Sequence, residues 1–262
     1  MNRLWKYLLV TAFLVAVLVF LVFLDRKGVE EYHARTCEGI RVEFDAGVDK
    51  SFITGADVKG YIAKGYGDCF GKRLEDIDLQ KIEDVLNGKG PILRADAYVT
   101  NDGYLNVAIS QRSPVVRLIS GPNSWYADAT GYIFPTQRNY TSRVPVVDGR
   151  IPLKITAGFK GMPESEAEKA WMGGILELVD FLSDNRDWAD AISQIYVDSG
   201  GSLVLVPGKG KEKFIIGRPE DYRKKFARIE KYYRYVKNRK DEGYYSTVDV
   251  SYSGQIVCRK QK

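Results

Sequence analysis

Residues 7–24 (YLLVTAFLVAVLVFLVFL) contain no charge, no proline and no glycine. As a helix, a run of this length spans about 27 Å, close to the hydrocarbon thickness of a bilayer. In that layer every backbone polar group must be bonded internally, which leaves a helix as the state for such a segment. Nothing after Leu24 repeats the run. The chain therefore reads as one transmembrane helix from Tyr7 to Leu24 ahead of a single large water-soluble part.

A cleaved signal peptide is the rival reading. Its apolar core is shorter and ends in small residues at an A-x-A-like site. Here the run ends in Phe23-Leu24-Asp25-Arg26-Lys27, with no small-x-small triplet before Ala34, so an uncleaved anchor is expected. Arg3 and Lys6 precede the helix, and Arg26, Lys27 and Arg35 follow it, so the flanking charge gives little orientation. A six-residue head and a large C-terminal part favour the N-terminus inside and the soluble part outside.

Composition narrows the rest. The chain is 45% hydrophobic and 12% aromatic, enough for packed cores rather than disorder. Its 39 basic and 34 acidic residues leave a net charge of +5, too weak and too mixed to mark a nucleic-acid binder. Three cysteines, Cys37, Cys69 and Cys258, are too few for a disulfide scaffold. An oxidising compartment would allow one pair, and Cys37 and Cys69 flank one module; buried or free thiols are the plainer expectation. His33 is the only histidine, and no Cys-x-x-Cys occurs, so neither a metal nor any other cofactor is expected.

Residues 25–36 read as a polar juxtamembrane linker. Ile40, Val42 and Phe44 then alternate with Arg41 and Glu43, which predicts a strand. Thr54 caps a helix running to Lys64, with Asp57 at its third position. Asp76 or Asp78 opens a second helix carrying Leu79, Ile82, Val85 and Leu86, stopped by Gly88 and Gly90. Ile92 to Thr100 and the run from Tyr104 are strands joined at Asn101-Asp102-Gly103, a hairpin turn. The order β-α-α-β-β describes a compact α+β module.

From Pro114 the pattern changes to short strands: Val115–Ile119, Trp125–Asp128 and Tyr132–Phe134. A helix follows from Ser165 to Ser183, with Trp171, Ile175, Leu178, Val179 and Leu182 on its core side. Strands are expected at Ile192–Val197, Ser202–Val206 and Lys213–Ile216. A second helix is expected from Pro219 to Val236, with Tyr222, Phe226, Ile229, Tyr233 and Val236 as its core stripe. Tyr244–Val250 and Gln255–Arg259 form a last strand pair. The second unit is thus a mixed or antiparallel sheet with two helices.

Catalytic signals are poor. There is no Gly-x-Ser-x-Gly, His-Glu-x-x-His, phosphate loop or Ser-x-x-Lys. The carboxylates Glu75, Asp76 and Asp78, and Glu164, Glu166 and Glu168, stand at helix starts, where negative charge suits the dipole. Gly208-Lys209-Gly210-Lys211 lies between two strands and reads as a hairpin turn rather than a phosphate cradle. Arg223, Lys224, Arg228, Lys231 and Lys237 lie off the core stripe of the second helix. They form a solvated basic face, or a contact for anionic lipid or wall polymer. The terminal strand is the stronger functional feature: at a sheet edge, its free N–H and C=O groups can pair with a partner strand.

Four segments carry a family resemblance. Gln111-Arg112-Ser113-Pro114-Val115-Val116 resembles the Glu-Arg-x-Pro-Val-Ala junction of FtsQ/DivIB cell-division proteins. Trp125-Tyr126-Ala127-Asp128 with Gly131-Tyr132-Ile133-Phe134 resembles their aromatic-Asp hairpin. Val144-Pro145-Val146-Val147-Asp148-Gly149 is similar to their Leu-Pro-x-Leu-x-Gly turn. Ile216-Gly217-Arg218 and Val248-Asp249-Val250-Ser251-Tyr252 match their late strand-helix-strand region. Gln111 replaces the usual Glu, and Asn-Asp-Gly stands where many members have Trp-Pro, as in a Bacteroidetes-like branch.

The resemblance implies a POTRA domain at 37–112, a β-rich FtsQ-type domain at 113–262, and a cytoplasmic head at 1–6. It implies a non-catalytic, single-pass inner-membrane protein of the division septum, with both domains periplasmic and a role in controlling septal peptidoglycan synthesis. Its partners would be coiled-coil division proteins of FtsB/FtsL type, with other divisome components at the POTRA domain. By position the partner-binding edge would be Val250, Ser251, Tyr252, Ser253, Gly254, Gln255, Ile256 and Val257. A POTRA-bearing component of secretion or outer-membrane assembly is the alternative. That class carries several such modules or a long barrel, and neither is present.

Overall fold

The computed structural model describes residues 11–22, 35–45, 53–137, 141–185, 187–188, 191–241 and 243–261. Residues 11–22 are helical (α1), and Phe13, Leu14, Leu18 and Phe20 are exposed on it. Among the described residues no helix is long and apolar enough to cross a membrane. The expected span 7–24 extends at both ends beyond the described helix. The head 1–6, most of the expected linker and His33 lie outside the described residues.

The chain divides into two compact units, Met1–Gln111 and Arg112–Lys262. In the first, β1 (Gly39–Phe44), α2 (Gly55–Gly65), a 3-10 turn (Leu74–Asp76), α3 (Leu79–Asn87), β2 (Ile92–Val99) and β3 (Tyr104–Gln111) follow one another. The sheet order is β1-β3-β2, with β1 parallel and β2 antiparallel to β3. This is the β-α-α-β-β order that the sequence predicts.

Local chemistry explains these boundaries. The Asp57 backbone N–H donates to Thr54 Oγ1 at 3.2 Å and the Thr54 N–H to Asp57 Oδ2 at 2.9 Å, a reciprocal capping box. Of the two carboxylates expected to open α3, Asp78 is the cap, accepting from the Lys81 N–H at 3.0 Å. Gly103 ends the β2–β3 turn at φ +84°, a conformation that costs glycine little. Val58, Ile62, Ile82, Leu86, Leu105, Val107 and Ile109 are fully buried between helices and sheet. Cys37 and Cys69 lie in the same core as free thiols rather than as a pair, and burial pushes the Cys69 thiol pKa up.

Among the described residues the second unit is built on nine strands. These are β4 (Pro114–Ser120), β5 (Asn123–Asp128), β6 (Ile133–Pro135), β7 (Val146–Gly149), β8 (Ile192–Val197), β9 (Leu203–Pro207), β10 (Lys213–Gly217), β11 (Tyr245–Asp249) and β12 (Val257–Lys260). Their order is β12-β11-β10-β9-β8-β7-β4-β5-β6. The β4–β7, β7–β8 and β10–β11 pairs are parallel and the others antiparallel, so the sheet is mixed.

Parallel neighbours need long crossovers. Two of them carry helices: α4 (Glu166–Asp184) between β7 and β8, and α5 (Tyr222–Tyr235) between β10 and β11. Phe181 of α4 meets Phe226 of α5 with ring centroids 4.9 Å apart, inside one core that also holds Trp125, Ile195, Leu205 and Phe214.

Three expectations for this unit need correction. Val144–Gly149 is not a turn: it supplies β7, an interior strand paired on both sides. The second helix begins at Tyr222 rather than Pro219. Pro219 instead packs against Gly174, where a Cβ would stand 2.6 Å from its carbonyl oxygen. On the same helix Tyr232 is buried deeper than Tyr233, and Lys225 is buried with the core stripe, its ammonium donating to Arg218 O at 2.7 Å.

Candidate docking edge

The C-terminal end of the sheet is assembled by the β10–α5–β11 crossover and closed by β12. Gly217 ends β10 at φ +70°, and a Cβ there would meet Ser251 Cβ at 3.0 Å, so the bare backbone lets the end of β11 pass close by. The Val250 N–H donates to Ile215 O at 2.9 Å. Arg228 on α5 donates to Val250 O through Nε at 2.9 Å and Nη2 at 2.7 Å. Asp249 Oδ1 accepts from the Ser251 N–H at 2.9 Å and the Ser251 hydroxyl at 2.6 Å, turning the chain out of β11.

This geometry redraws the edge expected at Val250–Val257. Val250 is fully buried, so its side chain is core and not contact surface. Ser251, Tyr252, Ser253, Gly254, Gln255 and Ile256 form the connection between β11 and β12, with Gly254 at φ +82°. Only Val257 of the expected set lies in the edge strand. Tyr252 (54% exposed) and Val257 (46%) are its large exposed apolar side chains. The physical reason is that the expected set spans the Ser253-Gly254 turn between the two strands of the last pair, and the edge strand itself is Val257–Lys260.

Peptide directions on β12 follow from the register. The Val250 N–H faces β10, so by alternation Asp249 and Thr247 face β12, where they pair with Val257 and Arg259. The Gln261 N–H also turns inward, to Tyr244 O at 3.0 Å. Cys258 therefore turns its N–H and C=O away from β11, as Lys260 does its N–H, on the side where the sheet has no further strand among the described residues. The Lys260 C=O instead accepts from the Ser246 hydroxyl of β11 at 3.3 Å. Beside this edge, Lys224, Ala227, Arg228 and Lys231 of α5 and Gly254, Gln255 and Ile256 line a groove of about 540 Å³. The expected basic face thus splits: Lys224 and Lys231 stay exposed, whereas Arg228 is half-buried and committed to Val250.

The opposite edge of the sheet is protected. β6 has three residues and ends in Pro135, and Ile133 exchanges two backbone hydrogen bonds of 2.9 Å with Gly161. Lys237, expected on the basic face, pairs with the buried Glu212. Burial opposes the Glu212 charge, but the Lys237 hydrogen bond outweighs it with backbone help, and the carboxyl pKa is lowered. Among the described residues no group of three or more His, Cys, Asp or Glu is placed to hold a metal ion.

Two family models match the chain. One, described as FtsQ/DivIB, C-terminal related, covers residues 113–259, more than half of the sequence. The chain belongs to the FtsQ/DivIB family. The second, a POTRA-like domain, covers residues 35–110. No curated protein matches the chain. FtsQ/DivIB domains are those of a cell-division scaffold, generally non-catalytic and acting through other division proteins. In this FtsQ/DivIB chain the sequence-level signal missed at the edge was Arg228, which sits among lysines and reads as one more surface charge.

Proposed function

We propose that this chain is a membrane-anchored, non-catalytic divisome scaffold that captures a coiled-coil division protein of FtsB/FtsL type by strand addition at β12, and so helps control septal peptidoglycan synthesis. Residues 7–24 would span the inner membrane, with the head 1–6 in the cytoplasm. The linker 25–36, the POTRA domain (37–112) and the FtsQ-type domain (113–262) would follow in the periplasm. Exposed Phe13, Leu14, Leu18 and Phe20 support the anchor, because a solvated helix would not favour such a surface.

The observation that carries the reading is the outward edge of β12. The Cys258 N–H and C=O and the Lys260 N–H offer ladder hydrogen bonds, Tyr252 and Val257 offer apolar anchors, and Gly254, Gln255 and Ile256 line the adjoining groove. Backbone pairing supplies affinity in this mode, and side chains at alternate positions supply specificity.

The test is co-purification of the full chain from membranes with its FtsB/FtsL-type partner. Cys258→Pro removes an outward N–H, which an edge strand tolerates, and should abolish capture while the fold persists. Lys260→Ala keeps the N–H and should retain capture. Undiminished capture by folded Cys258→Pro would exclude strand addition here. A fluorescent fusion should form a midcell band; a uniform envelope signal would exclude the divisome role.

A further inference from the structure

The POTRA-like sheet also has an edge at β2, but two of the outward N–H groups of that strand are already engaged. The Ala95 N–H donates to Asn87 Oδ1 at 2.8 Å, and the Ala97 N–H donates to Glu83 Oε1 at 2.8 Å. Ala95 and Ala97 are two apart on β2, so their N–H groups leave the same side of the strand, away from β3. Glu83 and Asn87 are four apart on α3, so they share one helix face. The helix thus presents two acceptors where a further strand would present its carbonyls.

The surrounding packing holds the helix in place. Ile82 and Leu86, adjacent to the two acceptors, are fully buried. Ala95 and Ala97 are also buried, and their short side chains let α3 approach the strand. An incoming strand would have to displace both side chains and leave Asn87 Oδ1 and the Glu83 carboxylate seeking new donors.

We infer that Glu83 and Asn87 are specificity residues that seal the β2 edge, so that β2 does not take a partner by strand addition and does not draw a strand-forming partner away from β12. The choice of β12 rests on the function proposed above; the sealing of β2 stands independently of it. Contacts of the POTRA-like domain with other proteins would then use side-chain surfaces on β2, such as exposed Leu93 and Tyr98, and not its ladder.

Hydrogen exchange on the full chain in detergent micelles tests this residue by residue. In the native chain the Ala95 and Ala97 amides should be protected although β2 lies at an edge. Asn87→Ala should speed exchange at Ala95, and Glu83→Ala at Ala97, each by about tenfold or more. Glu83→Gln keeps an acceptor and should preserve protection. Val107 and Ile109, on the interior strand β3, report whether each variant is folded.

Added alternating Thr-Val peptide of about eight residues, a strand-length probe, should protect β2 only in the Glu83→Ala/Asn87→Ala double variant. Rapid exchange at Ala95 and Ala97 in the native chain would overturn the inference. So would unchanged exchange in folded variants, or peptide protection of β2 in the native chain. Protection at Cys258 and Lys260 is read in the same experiment. Its absence would count against the β12 reading alone.

Discussion

Arg112 and the buried Asp128 form a largely buried ion pair in which Arg112 Nη1 lies 2.7 Å from Asp128 Oδ2. The guanidinium also stacks over Tyr132, with its carbon 3.6 Å from the ring centroid. Asp128 Oδ1 accepts from the Thr130 N–H at 2.9 Å, the Thr130 hydroxyl at 2.6 Å and the Tyr132 N–H at 3.1 Å. One carboxylate therefore shapes the β5–β6 turn with one oxygen and holds the first residue of the second unit with the other. Arg112 and the Asp128–Tyr132 hairpin, two motifs read separately in the sequence, are one structure.

Removing either partner should be costly, because it strands the other charge in a poorly solvated site. Arg112→Ala or Asp128→Ala should lower unfolding free energy by about 3 kcal/mol. Arg112→Lys should recover only part, since an ammonium lacks the planar stacking over Tyr132. Urea unfolding of the four chains of a double-mutant cycle checks the coupling. Additive losses would show that the pair does not act as a unit.

Gly149 ends β7 at φ +92°, and a Cβ built there would lie 2.3 Å from Val197 O. Both the backbone angle and the contact exclude a side chain, and the neighbouring atom belongs to an interior strand. Gly149→Ala should therefore destabilise the second unit by about 3 kcal/mol, within the range of severe core changes. Gly121→Ala is the comparison: its φ is +56° but nothing stands within 4 Å, so about 1 kcal/mol is expected. Equal midpoint shifts in thermal unfolding would remove the argument from contact.

The first unit was legible because its signals are local. The Thr54–Asp57 capping box, the Asp78 cap and the Asn101-Asp102-Gly103 turn each act within a few residues. In the second unit the misread features depend on distant partners. Val146–Gly149 is a four-residue segment that becomes a strand because β4 and β8 flank it. Pro219 is held by Gly174, many residues away, and Asp221 then enters α5 at φ +55° without a side-chain cap. The edge set Val250–Val257, which follows by position from the family resemblance, straddles the β11–β12 connection and shares only Val257 with the edge strand Val257–Lys260. Only the assembled sheet shows that Val250 is core.

Glu168 makes the second unit sensitive to acid. Its carboxylate accepts from the Ser165 N–H at 3.0 Å, the Lys154 N–H at 2.7 Å and the Ser165 hydroxyl at 2.8 Å. These bonds lower its pKa to about 2, from 4.5 for the free group. A depressed carboxyl pKa contributes stability that is fully present above the unfolded value and is lost as pH falls through the folded one. The stability gap between the native chain and Glu168→Gln should thus be flat above about pH 5.5 and close between about pH 4.5 and 2. Denaturant midpoints measured across that range check it. A gap independent of pH would assign the effect to packing.

Arg228 predicts a separation between folding and docking. Its two bonds to Val250 O fasten α5 to the end of β11, immediately before the connection to β12. A hydrogen bond from a charged donor to a half-buried carbonyl contributes about 2 kcal/mol, so Arg228→Ala should leave the unit folded but weaker by about that amount. The loss should be concentrated locally. Hydrogen exchange should quicken at Val250 and across β12 while Ile195 and Leu205, in the middle of the sheet, stay protected. Capture of an FtsB/FtsL-type partner should fall more than in Lys224→Ala or Lys231→Ala, whose side chains are exposed in the groove. Equal losses for all three substitutions would make Arg228 one basic contact among several and not the residue that positions the edge.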